Sequence, residues 1–349
     1  MRTVFKIIAL ISFTFLVNSC KKNDTEKIVD IYLGGTSVSA HLSSVFACYW
    51  KNGQEFPVSD GTKNARVNSI FVSGGDVYLA GSEDITPYGN RRAAYWKNKT
   101  RIYLTSDTNQ NSEINSIFIV GNDVYAAGFE TTNQGYGAKY WKNGIAVNLT
   151  NYTGFAKATS IVVNGTDVYV AGFDLRNGIS VAKYWKNGVE INLSNGSADA
   201  LTSVIAVSGT DVYVAGKEYN SSTLNYVAKY WKNGISVKLT DGTNNADANS
   251  MVVIGNDVYI SGFEKDGLKN VAKYWKNGAE TKLQISVHSE SNSHSIAVYG
   301  TDVYVTTNDI HPDPPYGNSN STQYWKNDQK VPFAGIVLEK KMFIAVVGR

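Results

Sequence analysis

From about residue 28 onward, short apolar runs alternate with turn residues. Ser160-Ile161-Val162-Val163 leads through Asn164-Gly165-Thr166-Asp167 into Val168-Tyr169-Val170-Ala171-Gly172. After a loop come Ala182-Lys183-Tyr184-Trp185, a Lys-Asn-Gly turn and Glu190-Ile191-Asn192-Leu193. These four runs read as strands a, b, c and d. Asn-Gly between apolar strands is a strong hairpin signal, because a type I′ turn needs positive φ at both central residues. Strand b is apolar on both faces, so both of its sides must be covered.

The pattern then repeats. Trp50, Trp96, Trp141, Trp185, Trp231, Trp275 and Trp325 each lie in a Tyr-Trp-Lys-Asn tetrad, 44 to 50 residues apart. A second signature, Asp-Val-Tyr, begins at Asp76, Asp123, Asp167, Asp211, Asp257 and Asp302, and Asp30-Ile31-Tyr32 is a worn seventh copy. Four-stranded units of this length, each with a tryptophan, predict a β-propeller. The Val, Thr, Tyr and Gly content excludes helical repeats of similar length. The expected fold is therefore all-β, a seven-bladed β-propeller of four-stranded blades over residues 28–349. The first blade lacks its strand a, so the ring is predicted to close by pairing of the C-terminal and N-terminal segments. Gly335–Glu339 reads as that strand a, while Val29–Leu33 and Met342–Val346 both read as its strand b.

The N-terminus departs from this pattern. Arg2 and Lys6 precede an apolar run, Ile7–Val17, too short to span a bilayer, and Val17-Asn18-Ser19-Cys20 follows. Residues 1–19 read as a signal peptide, and residues 20–27 as a short tether of about eight residues, reaching at most ~28 Å. Removing Arg2 and Lys6 lowers the net charge from +3 to +1, which leaves no electrostatic footprint for nucleic acid. Cys48 is the only cysteine besides Cys20, so no intramolecular disulfide is expected in the mature chain.

Val17-Asn18-Ser19-Cys20 resembles the lipobox of bacterial lipoproteins, which implies lipidation of Cys20 and a membrane anchor. Ser19-Cys20-Lys21-Lys22 and the repeats behind it resemble uncharacterised surface lipoproteins of the Bacteroidota. The spacing Ala182, Trp185, Gly188, Leu193, and likewise Ala138, Trp141, Gly144, Leu149, is similar to the extracellular repeats known as HAF. These resemblances imply a location on the bacterial outer membrane at the cell surface. They carry no defined activity.

Propeller topology puts the a–b and c–d turns on one face and the b–c and d–a loops on the other. The first set is monotonous and the second varies, from Asp174–Val181 to Thr307–Thr322. Variable loops on a rigid scaffold are where binding resides. The tether enters from the monotonous face, which gives Lys51, Lys97, Lys142, Lys186, Lys232, Lys276 and Lys326 a possible contact with anionic head groups, against a plainer role in protecting exposed hairpins. On the variable face stands one acid in each blade but the first, where Ser37 takes the place: Glu83, Glu130, Asp174, Glu218, Glu264 and Asp309. Lys139, Lys183, Lys229 and Lys273 suggest cross-strand ion pairs at the hairpin tops, worth about 0.2–1 kcal/mol each. Glu83 and Asp309 lack such a lysine and read as free acids.

All four histidines fall in one corner: His288 and His294 in a d–a loop, His311 in the next b–c loop, and His41 in the adjoining blade. His288, His294 and His311 with Asp309 make a candidate zinc or calcium site, although the spacing matches no metal motif. Tyr88, Tyr136, Tyr219, Tyr226 and Tyr316 can stack on sugars or fill a partner's pockets. The chain contains no nucleophile elbow, zinc-protease helix, phosphate loop or dinucleotide fingerprint. The expected function is a monomeric, membrane-anchored binding or scaffolding propeller presenting its loops to a glycan or protein. The alternatives are a polysaccharide hydrolase or lyase, and a structural surface protein.

Overall fold

Seven four-stranded antiparallel sheets form a closed ring in the computed structural model. It describes residues 28–349 except 39–43, 87–88, 108, 284–289, 314–316 and 334–340. The expected signal peptide, tether, Cys20, His41, Tyr88, His288, Tyr316 and Gly335–Glu339 lie outside the described residues.

Blade 4 represents the plan: strands Ala156–Asn164, Asp167–Arg176, Ile179–Lys186 and Val189–Asn192, paired in that order. Strands a of successive blades pack side by side around the ring and wall a central channel. Blade 1 takes its strand a from the C-terminus: Phe343–Gly348 pairs with Val29–Val38, Ile344 opposite Leu33. The competition between the two candidate b strands is thus resolved. Val29–Val38 also pairs with the next strand, Val45–Lys51, so the short b–c connection keeps it beside strand c and leaves only its inner edge open. Arg349 fastens the seam, its Nε 2.7 Å from Asp30 Oδ1 and its backbone N–H donating to Ile28 O at 3.1 Å. Arg349, Asn52 and Lys51 together hold the Asp30 carboxyl well below the usual carboxylate range.

The repeated tetrad is explained residue by residue. Trp185 is buried against blade 3, beside Tyr125, Ala127 and Ala158, while Tyr184 packs toward blade 5. All seven tryptophans are buried, and each removes about 200 Å² of indole from water, worth about 5 kcal/mol. Asn187 takes φ +52° and Gly188 φ +83°, the type I′ pair. The Asn187 amide donates to Asp167 Oδ1 and its Oδ1 accepts from Val168 N–H, both at 2.8 Å. This bond recurs in every blade and explains why Asp-Val-Tyr accompanies Tyr-Trp-Lys-Asn.

The strands run further than the apolar pattern indicated. The loop expected over Asp174–Val181 is strand to Arg176 and resumes at Ile179, turning through Asn177 and Gly178. Thr307–Thr322 is likewise mostly hairpin. The unbroken register keeps the ladder intact through these extensions. The variable face is therefore built of extended hairpins.

Deleting Phe343–Arg349 strips blade 1 of its inner strand. Size-exclusion chromatography should show association through the bared edge, and the melting temperature should fall by roughly 10 °C or more. A truncated protein that stayed monomeric with unchanged melting would refute closure by this strand.

Candidate functional site

The acid of each variable-face hairpin serves the fold. Lys139 meets Glu130, Lys183 meets Asp174 at 2.6 Å, Lys229 meets Glu218 and Lys273 meets Glu264. These lysines are buried rather than perched at the hairpin tops, and three of them lie over the tryptophan two residues on. The anticipated surface energies are therefore too small. Removing one partner of a buried pair strands the other, at about 3–5 kcal/mol. Blade 1 has Cys48 at the lysine position, where burial pushes the thiol up and Sγ–H donates to Gly35 O at 3.7 Å.

Glu83 and Asp309, expected as free acids, are both fully buried. Arg101 from strand d clamps Glu83 at 2.8 and 2.9 Å, and the Tyr103 hydroxyl donates to it. Burial and that bond push the Tyr103 phenol up to about 12. Asp309 accepts from Ser291 Oγ at 2.6 Å and has the Lys330 amine 3.9 Å away. Neither belongs to a ligand surface. On the opposite face, each lysine expected near the membrane lies 2.8–3.4 Å from its own aspartate, so this lysine ring is locally neutral.

His294 is not in a loop. It occupies a β-bulge in strand a of blade 7, between Ser293 and Ser295, and lines the channel. His311 is in the long hairpin, with Nε2 3.0 Å from Ser321 Oγ. Among the described residues no three His, Cys, Asp or Glu side chains gather as metal ligands.

Several cavities open on the variable face, and two of them bear on ligand binding. The first, of about 370 Å³, lies between blades 3 and 4. Tyr136, Tyr152 and Phe155 supply its aromatic side, with Tyr136 and Phe155 centroids 4.7 Å apart. In the same lining Arg176 bridges Asp174 at 3.1 Å and Glu190 at 2.6 Å, and the buried Lys183 joins the same two carboxylates. Tyr152 holds φ +64°, a costly conformation for an aromatic residue. It is accommodated because its ring lies against Gly137, where a Cβ would come within 2.1 Å. Further round, Tyr219 and Tyr226 form a cross-strand pair at 5.3 Å with the Lys217 amine over Tyr226.

The second cavity, of about 380 Å³, is the channel mouth. In six blades strand a carries a bulge at the same level: Asn68, Asn115, Thr159, Ser203, Asn249 and His294. Three of these asparagines staple the ring, donating to Ile114, Ala158 and Ser293 carbonyls at 2.7–2.9 Å. The bulge also brings strand a close to strand b: a Cβ on Gly172 would lie 2.2 Å from Lys157 O. Lys157, Lys341, Phe173 and Phe343 complete the mouth. Burial, with the Lys341 charge added, pulls the His294 imidazole down to about 4.

No family model and no curated protein matches this sequence. Among solved structures, a GH32 beta-fructofuranosidase from Bombyx mori, a variant in complex with sucrose, aligns at TM-score 0.35 and 9% identity over 80% of this chain and 91% of that one. A xylan beta-1,4-xylosidase from Bacillus halodurans aligns at TM-score 0.32 and 11% identity over 92% and 84%. A likeness at this level carries no chemistry over to this chain.

Two measurements check the electrostatics. Lys183→Met should cost about 3–5 kcal/mol in urea denaturation, whereas Lys186→Met should leave the midpoint in place. His294 is depressed from 6.5 to about 4 on folding, so the unfolded chain takes up its proton first. Its contribution is complete above pH 6.5 and is lost as pH falls toward 4, by about 3 kcal/mol at most. The stability difference between wild type and His294→Gln should drift by that amount across this window and be flat above it.

Proposed function

We propose that this chain is a binding propeller, lipidated on Cys20 and held at the bacterial outer membrane, that takes a glycan on the face built by its b–c hairpins and d–a connections. The observation that carries this reading is the cleft between blades 3 and 4. Three aromatic residues and an Arg176–Asp174–Glu190 network line one space within the usual size of ligand pockets. Aromatic faces take the C–H faces of sugar rings, and the charged network offers donors and acceptors to hydroxyls. Both carboxylates are bridged by Arg176 and Lys183, an arrangement suited to holding a ligand rather than to protonating a glycosidic oxygen. The Tyr219–Tyr226 pair gives a second aromatic platform on the same face.

The test is a glycan array with soluble Lys21–Arg349, followed by calorimetry. Tyr152→Ala and Arg176→Ala should each weaken the bound glycan about tenfold or more, with melting temperature retained. A silent array, or affinity indifferent to both substitutions, would reject the cleft; release of shortened glycan would replace binding with hydrolase or lyase action. Separately, Cys20→Ser should free the protein from the membrane fraction.

A further inference from the structure

The channel mouth is separate from the inter-blade cleft, and its chemistry differs. Two cations line it, Lys157 and Lys341, and among the described lining residues there is no carboxylate. Neither lysine forms an ion pair with a described residue. The Lys157 ammonium instead lies over three rings, 4.6 Å from Phe129, 5.2 Å from Phe155 and 5.8 Å from Tyr136. The nearby acids are occupied elsewhere: Glu113 accepts from Asn68 at 2.5 Å and lies 3.8 Å from Arg91, and Asp247 is 2.6 Å from Lys217.

His294 adds to this setting. Nε2 has no protein partner and is sealed from solvent, while the ring forms part of the cavity wall. Burial pulls the Lys157 ammonium below the usual lysine range; Glu113 opposes this and Lys341 adds to it. Lys341 thus acts on both Lys157 and His294. Two like charges share a cavity walled by aromatic and amide groups, and an anion entering it relieves their repulsion.

We propose that the channel mouth is an anion site that takes a carboxylate, free or borne on a sugar as a uronate, held by Lys157 and Lys341 with His294 in the wall. At the same level the Ser203 hydroxyl and the amide oxygens of Asn115 and Asn249, whose amide N–H groups staple the ring, offer partners to the rest of such a sugar. Phe173 and Phe343 give it apolar faces. A carboxylate suits the site better than a phosphate, because no guanidinium fork lines it to embrace three oxygens.

The experiment is titration of soluble Lys21–Arg349 with glucuronate, acetate, glucose and inorganic phosphate. Heat is read by calorimetry and the His294 ring protons by NMR as a function of pH. Glucuronate should bind and raise the His294 titration midpoint by about one unit or more. Lys341→Ala, exposed and outside every ion pair described here, should weaken binding about tenfold, and Lys157→Met by as much or more. Acetate equal to glucuronate would identify a small carboxylate as the ligand; glucuronate tighter than both acetate and glucose would identify an acidic sugar. The proposal is overturned if saturating carboxylate leaves the His294 midpoint unmoved, if Lys341→Ala binds as well as wild type, or if phosphate or glucose binds tighter than glucuronate. Failure of the inter-blade cleft on neutral glycans leaves this site untouched, since Tyr152→Ala and Arg176→Ala alter none of its lining.

Discussion

Everything in this molecule depends on one tryptophan per blade being buried against the blade before it. A single four-stranded sheet cannot cover both faces of its own strand b, so each blade is stable only in its neighbour's company. Trp185 closes the space over Tyr125 and Ala158, and Trp231 closes the next over Tyr169 and Ala200. A chain of such dependencies has two unsatisfied ends unless it is bent into a ring. Phe343–Gly348 supplies the missing inner strand, and Met342 and Ile344 fill the core that Trp50 and Tyr304 would otherwise leave open. The seam is then fixed by Arg349 on Asp30, the same aspartate that in other blades serves only its own turn.

Given that ring, the sequence is divided between holding and presenting. The Lys-Asn-Gly face is committed to turns and neutral pairs in all seven blades. Buried lysine–carboxylate pairs commit the middle of five blades' acids in the same way, through Arg101 in blade 2 and through lysines in blades 3 to 6. What remains for presenting lies where the copies differ: the extended hairpins, and the one level of strand a where a bulge turns an extra side chain toward the axis, three of these side chains also stapling the ring. Gly at the facing position of strand b permits that bulge. In blade 7 the position is Thr307, whose hydroxyl accepts from Trp325 Nε1 at 3.0 Å.

Fold, blade count, strand order and the Trp and Tyr directions were legible because they rest on local signals repeated seven times. The ion pairs were legible as pairs, since Lys139 and Glu130 vary together with their counterparts; their depth was not, because register says which residues meet and not how much covers them. Arg101 was not legible as the partner of Glu83 because it reaches across from strand d, outside the b–c hairpin that holds the lysines of blades 3 to 6. The bulge was the largest omission. Asn68-Ser69-Ile70 and His294-Ser295-Ile296 share a polar pair before an apolar residue, a break in alternation that resembles a loop at His294 but is an extra residue within a strand. Had it been read as an extra residue within a strand, His294 would have been placed in the channel and not in a metal corner.

The bulge level also explains how a near-symmetric ring acquires an asymmetric site. Seven equivalent positions would offer a ligand seven equivalent contacts, suited to an ion on the axis. Here the level departs furthest at the seam: His294 puts an imidazole where blades 2, 3 and 6 put stapling amides and blades 4 and 5 put hydroxyls, and blade 1, whose inner strand arrives from the C-terminus, contributes Lys341 and Phe343 in place of a bulge. Both departures fall on adjacent blades at the seam. Lys157, across the ring on blade 4, then lies between the channel and the aromatic rings of Phe129, Tyr136 and Phe155. Closing the ring with a separate strand is therefore also what gives the channel mouth its direction, from a cationic seam toward the aromatic cleft.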